Sequence, residues 1–228
     1  MLAFFLFKQP VPRCALMRHT IRGIDVSHHQ PEIDWDAVAT QNIQFAYLKA
    51  TEGLRHRDTR FKSYSRAARN AGIKIGAYHY FSFHTQRSGK DQAANFIATV
   101  QRGMLDLPPA VDVEGAGNTT YHPDHEWLRR ELRSCLESLT QHYGRPPIIY
   151  VNKFFYHRYL RGHFDDYSFW IRDLFFPAGW LFGKHWQVWQ YHDRGCVTGI
   201  QGPVDLNVFQ GDETAFTAFS SGNQRVSP

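Results

Sequence analysis

The sequence predicts an α/β fold, a barrel of about eight strands that is helix-clad on its first half and thinly covered on its second. Short β-branched or aromatic runs recur from residue 21 onward between helical or loop stretches, the alternation expected of a sheet or barrel built from strand and helix units. Helical apolar spacing is strong only before residue 150. A length of 228 residues with 43% hydrophobic and 15% aromatic content suffices for one full core of about the size of a single α/β barrel.

In chain order the strand runs are IRGIDVS, IQFAYLKA, IKIGAYHYF, PPAVDVE, PPIIYVN, SFWIRD, WQVWQYH and VDLNVF. Helices are expected at about 58–71, 88–102 and 123–142, the last with Leu128, Leu132, Cys135, Leu136 and Leu139 along one face. Helix-ending glycine and proline follow the first in AGIKIG and the third in HYGRPP. The barrel domain is expected over 21–212. Residues 1–20 read as an N-terminal extension or atypical leader, and 213–228 as a C-terminal tail closing on the polar SSGNQRVSP. The apolar opening of MLAFFLFKQPVPRCALM falls far short of the roughly 20 residues of a membrane span. It also lacks the basic start of a signal peptide and is followed at once by prolines, so no export route is legible there.

The net charge is +5 and the basic residues are scattered, which argues against a nucleic-acid partner and is compatible with a polyanionic one such as a bacterial cell wall. Cys14, Cys135 and Cys196 match neither a zinc spacing nor an even disulfide framework.

Within LPPAVDVEGAG, Asp112 and Glu114 stand two apart among small and β-branched residues. A strand alternates faces, so the two carboxyls share one side, with Cα atoms roughly 6.5 Å apart. Two like charges so close on a buried strand raise a pKa, which is what a general acid needs. Taken alone, such a pair is more often a strand running out into a polar loop. Asp25 near the end of the first strand run and Asp205 in the last change that weighting. In a β/α barrel the C-terminal strand ends converge on one mouth, and the first and last strands are neighbours at closure. Four carboxyls are therefore expected around one cleft. Tyr78, Tyr80, Trp189 and Tyr191 are the candidate cleft aromatics, because a glycan groove needs flat apolar rings beside its polar groups. Only every second strand residue can face the mouth, so about half of these are expected to be core. A metal-dependent hydrolase is the rival suggested by DVSHH and His79, but no H-x-H or H-E-x-x-H spacing occurs. A non-catalytic binding module would keep the aromatics and could lose the acids.

GIDVSHHQPEIDWDAV, FAYLKATEG, AGIKIGAYHYF, LPPAVDVE, PPIIYVN and WQYHDRGCVTGIQGPVDLNVFQG follow one another from Gly23 to Gly211. Together they resemble the glycoside hydrolase family 25 lysozymes, the Chalaropsis-type N-acetylmuramidases. The resemblance implies an irregular (β/α) barrel of about eight strands with helices mainly on the first five. The implied activity is hydrolysis of the β-1,4 bond between N-acetylmuramic acid and N-acetylglucosamine in peptidoglycan. The implied enzyme is a monomer that uses no cofactor and no metal and acts on the cell wall, in the periplasm or outside the cell. The family's acids fall on Asp25, Asp112, Glu114 and Asp205, with Glu114 as general acid and Asp112 assisting. Substrate-assisted retention and inversion through an activated water both remain open. Two departures touch the expected groove wall: His29 stands where many members carry Trp, and FWIRDLFF replaces a commoner WIA pattern.

Overall fold

A computed structural model describes residues 16, 18–84, 88–115, 118, 122–179 and 186–221. Among the described residues there are nine strands: β1 (Arg22–Val26), β2 (Ile43–Glu52), β3 (His56–Arg57), β4 (Lys74–Tyr80), β5 (Ala110–Asp112), β6 (Ile148–Asn152), β7 (Phe169–Arg172), β8 (Trp186–Gly195) and β9 (Val204–Phe209). β3 is a two-residue hairpin partner on the end of β2. The other eight close into a barrel in the order β1, β2, β4, β5, β6, β7, β8, β9, with β9 returning to β1. Every pairing from β1 round to β8 is parallel, whereas β9 runs antiparallel to both of its neighbours.

Helices cover the first half. They are α1 (Trp35–Ala39), α2 (Phe61–Asn70), α3 (Gly89–Thr99) and α4 (His125–Tyr143). Asp34, Ser88 and Asp124 cap α1, α3 and α4 by accepting backbone N–H groups with their side chains. Gly144 ends α4 at φ +74°, the left-handed conformation that glycine adopts without Cβ strain. The buried face of α4 is Leu128, Leu132, Cys135, Leu136 and Leu139, as the apolar spacing predicts. After β6 the covering is thin: a helical turn at Lys153–Phe155 runs into a π turn at Tyr156–Leu160. Among the described residues no helix is long and apolar enough to cross a membrane.

Two apolar layers result. One lies between strands and helices and holds Ile24, Leu48, Ile75, Val111, Phe96 and Leu132. The other fills the barrel interior with Phe45, Tyr47, Ile148, Trp170, Val188 and Phe209. The expected tail boundary needs correction. Residues Glu213–Ser221 form a helix, α5 in the numbering of full α-helices, whose Phe216 and Phe219 are buried against Phe209 and close the barrel floor. At the other end His19 packs edge-on against Trp186, so the barrel body begins before residue 21. The rest of the proposed leader, residues 1–15 and 17, lies outside the described residues, as does 222–228.

Candidate active site

The period of two along each strand decides what faces the barrel mouth. On β1 it is Asp25, on β5 Asp112, on β6 Tyr150 and Asn152, and on β7 Trp170 and Arg172. β8 contributes Gln190. Tyr78 of β4 joins them, and together these side chains line a cavity of about 350 Å³. Glu114, two residues past Asp112 and just beyond the strand end, lines the same cavity. Asp205 completes it from a direction that strand counting did not foresee. It lies near the start of β9 rather than at a C-terminal end, and the antiparallel run of that strand brings it to the mouth. There it stands directly opposite Asp25 in the β1–β9 register.

The polar network beneath Asp25 opposes the rise in pKa that burial imposes on it. The Trp170 indole N–H can only donate, and it donates to the Asn207 carbonyl oxygen at 2.7 Å. That orientation turns the Asn207 amide nitrogen toward Asp25 Oδ2, also at 2.7 Å. The Tyr150 hydroxyl donates to Gln190 Oε1 at 3.0 Å, and the Gln190 amide nitrogen donates to the same Asp25 oxygen at 2.9 Å. Burial pushes both members of the Asp25–Asp205 pair upward, while the two amide donors favour charge on Asp25. The shared proton therefore rests on Asp205, whose pKa is pushed up to about 9, first by burial and then by the Asp25 charge.

The second pair behaves differently. Asp112 is raised well above the ordinary carboxylate range by burial and then by the Glu114 charge. Its Oδ1 is buried with no hydrogen-bond partner among the described residues. Glu114 is pushed up to about 6, chiefly by burial, against the pull of Arg172 and Lys49. The sequence reasoning credited Asp112 with holding the proton on Glu114; the dominant cause is desolvation.

The aromatic candidates divide. Tyr78 lines the cavity. Tyr80 sits two residues further along β4, outside the lining. Its hydroxyl accepts from the Asn118 amide at 3.0 Å, and Lys49 Nζ lies 5.0 Å from its ring centre. Trp189 and Tyr191 do not reach the cleft. Val188 and Gln190 face the interior, so Trp189 points outward and is buried. Its indole donates to the Asp173 carbonyl at 2.9 Å, and its ring packs against Trp186 and Tyr191. His79 likewise faces the outer layer, with Thr51 Oγ1 and Gln92 Oε1 on its two ring nitrogens. Burial lowers its pKa to about 4.

Sequence reasoning missed Tyr150, Asn152, Trp170, Arg172 and Gln190, and also Asp193, which follows a register shift in β8. For four of these the signal was present as parity: Tyr150 and Asn152 share the inner face of Ile148, Gln190 that of Val188 and Arg172 that of Trp170. Arg172 is the one cation on the lining, and it pairs with Asp193 at 2.9 Å.

The family model for glycosyl hydrolases family 25 matches residues 24–200. The chain belongs to glycosyl hydrolases family 25. As a family 25 enzyme it is a glycoside hydrolase, and relatives agree along most of its length. The Escherichia coli (strain K12) protein YegX is 39% identical over 209 residues, covering 90% of this chain and 75% of the relative. Lysozyme M1 of Streptomyces globisporus is 31% identical over 214 residues, covering 88% and 71%. The solved structure of a family 25 glycosyl hydrolase from Bacillus anthracis superposes with a TM-score of 0.82 at 34% identity, over 89% of this chain and 94% of that one. The irregular α/β barrel is thus the family 25 barrel.

Proposed function

We propose that this family 25 chain is a peptidoglycan muramidase that hydrolyses the β-1,4 bond between N-acetylmuramic acid and N-acetylglucosamine. It acts on glycan strands of the cell wall, outside the cytoplasm. The observation that carries the reading is the meeting of five carboxyls, Asp25, Asp112, Glu114, Asp193 and Asp205, in one cavity, one of them, Glu114, raised to about 6. Cleavage of a glycosidic bond needs a proton on the leaving oxygen and stabilisation of an oxocarbenium-like transition state. Glu114 supplies the proton, because burial keeps it protonated at mildly acidic pH where an exposed glutamate is ionised.

Asp112 assists at the sugar. Its Oδ1 is buried without a partner among the described residues, so a polar group of the bound substrate, such as a 2-acetamido group, supplies the hydrogen bond that those residues do not. Held there, that amide is placed to attack its own anomeric carbon, in which case the β anomer is released first. Release of the α anomer first would instead assign water activation to a carboxylate such as Asp25. Asp25, whose charged form is favoured by the Asn207 and Gln190 amides against the cost of burial, adds negative potential to the transition state, and Asp205 orients it. Tyr78 and Trp170 offer apolar rings to the sugar's C–H face.

The test is Glu114→Gln, which removes the proton donor with little change in volume. Release of reducing ends from peptidoglycan is expected to fall by about 10² to 10⁴ while fold and glycan binding are kept. A variant that retains more than about a tenth of the activity removes Glu114 from the role of general acid.

A further inference from the structure

We propose that the face built by the segments after β6 and β7 is a subsite for the carboxylate-bearing peptide branches of the polymer, resting on the muramidase reading of the adjoining cavity. The large hydrophobic side chains exposed among the described residues are Phe154, Phe175 and Phe176, at 62%, 50% and 47%. All three lie on this face. Exposed apolar side chains grouped together, rather than scattered, mark a binding surface.

The backbone that carries two of these rings is held in place. Asp173 Oδ1 accepts the backbone N–H groups of Phe175 and Phe176 at 2.9 and 3.0 Å, and the Asp173 carbonyl is tied to the buried Trp189 indole. The two segments touch, with Lys153 Nζ 5.2 Å from the Phe176 ring centre. Arg158 lies 6.0 Å from the Phe154 ring centre on the other side. Lys153, Phe154, His157 and Arg158 together line one shallow hollow. Among the described residues neither Lys153 nor Arg158 has a carboxylate partner, whereas Arg69, Arg133 and Arg172 all do.

The face continues the cavity wall. Asn152 and Arg172 are register partners and both line the cavity, and the chain passes from them straight into Lys153 and Asp173. Charge then sorts the substrate. The cavity concentrates carboxyls and disfavours further carboxylates, while the neighbouring face offers three flat rings and two cations that have no carboxylate partner among the described residues, Arg158 being held by a 3.0 Å hydrogen bond to the Tyr159 hydroxyl. Peptide branches on alternate sugars carry free carboxylates, which lysine and arginine bind, and apolar parts, which phenylalanine covers. Seating a branch there also sets which sugar lies beneath Glu114.

The experiment compares wild type with Lys153→Gln/Arg158→Gln on two substrates: intact peptidoglycan, and glycan strands stripped of peptide by an amidase. Reducing-end kinetics and co-sedimentation are both read. On intact polymer KM is expected to rise about three- to tenfold with kcat nearly unchanged, the effect of losing two exposed charge contacts. On stripped strands the variant should match wild type. An equal KM for both proteins on intact polymer overturns the proposal, and so does an equal rise on both substrates, which would indicate contact with the glycan. If wild type releases no reducing ends from either substrate, the muramidase reading fails. Co-sedimentation then still decides the subsite: the variant must pellet less than wild type with intact polymer only, and equal pelleting overturns it.

Discussion

Glu114 owes its raised pKa to burial, and a pH profile carries the consequence. A general acid works while protonated, so kcat/KM should be full below about 6 and fall roughly tenfold per pH unit above it. A rate that climbs between pH 6 and 8 would contradict this assignment. Asp205 makes a separate prediction about stability. Its folded pKa of about 9 lies above the ordinary 3.8, so folding takes up a proton between those values. The stability associated with that proton is fully present below about pH 4 and is lost as pH rises through 9. Asp205→Asn does not titrate, and its amide can still donate to Asp25. Melting temperatures should therefore favour the variant increasingly from pH 4 to pH 9, and a constant difference would be the contrary result. The four acids were legible in the sequence because carboxyls are conspicuous inside apolar strand runs. Gln190, Asn207 and Tyr150 were not, because a polar residue in a strand declares its role only once its partner across the sheet is known.

At the scale of elements, alternation gave all eight barrel strands and three of the helices, and it assigned α4's buried face residue by residue. It gave no direction of pairing, which is why β9 was expected to present Asp205 from a C-terminal end. The α1 helix was missed because five residues hold little more than one turn of pattern. Strand parity also excluded Trp189 and Tyr191, a result that needed the inward residues of β8 to be identified first. Close packing between strands is testable at Gly76. A Cβ there would enter the ring of Tyr47, whose centre lies 4.7 Å from that of the tilted Trp170 ring in the cavity floor and whose hydroxyl donates to the Pro108 carbonyl. Gly76→Ala is expected to cost about 1–3 kcal/mol in urea unfolding by overpacking. A neutral result would mean that the floor is not tightly packed.

As a whole, the molecule is a barrel apolar at one end and polar at the other. Phe45, Phe209, Phe216 and Phe219 pack the floor, and the polar cavity opens at the mouth. The C-terminal segment contributes that seal although its short, weakly patterned sequence reads as a tail. The mouth gathers acids from β1, β5 and β9, from chain positions as far apart as Asp25 and Asp205, and only barrel closure brings them together. The most direct test of the account is digestion of purified peptidoglycan by the wild-type chain, followed by reduction of the new chain ends and identification of the sugar that carries them. N-acetylmuramic acid at the new reducing ends, absent with Glu114→Gln, is the predicted result. N-acetylglucosamine at those ends, or no new ends at all, would contradict it.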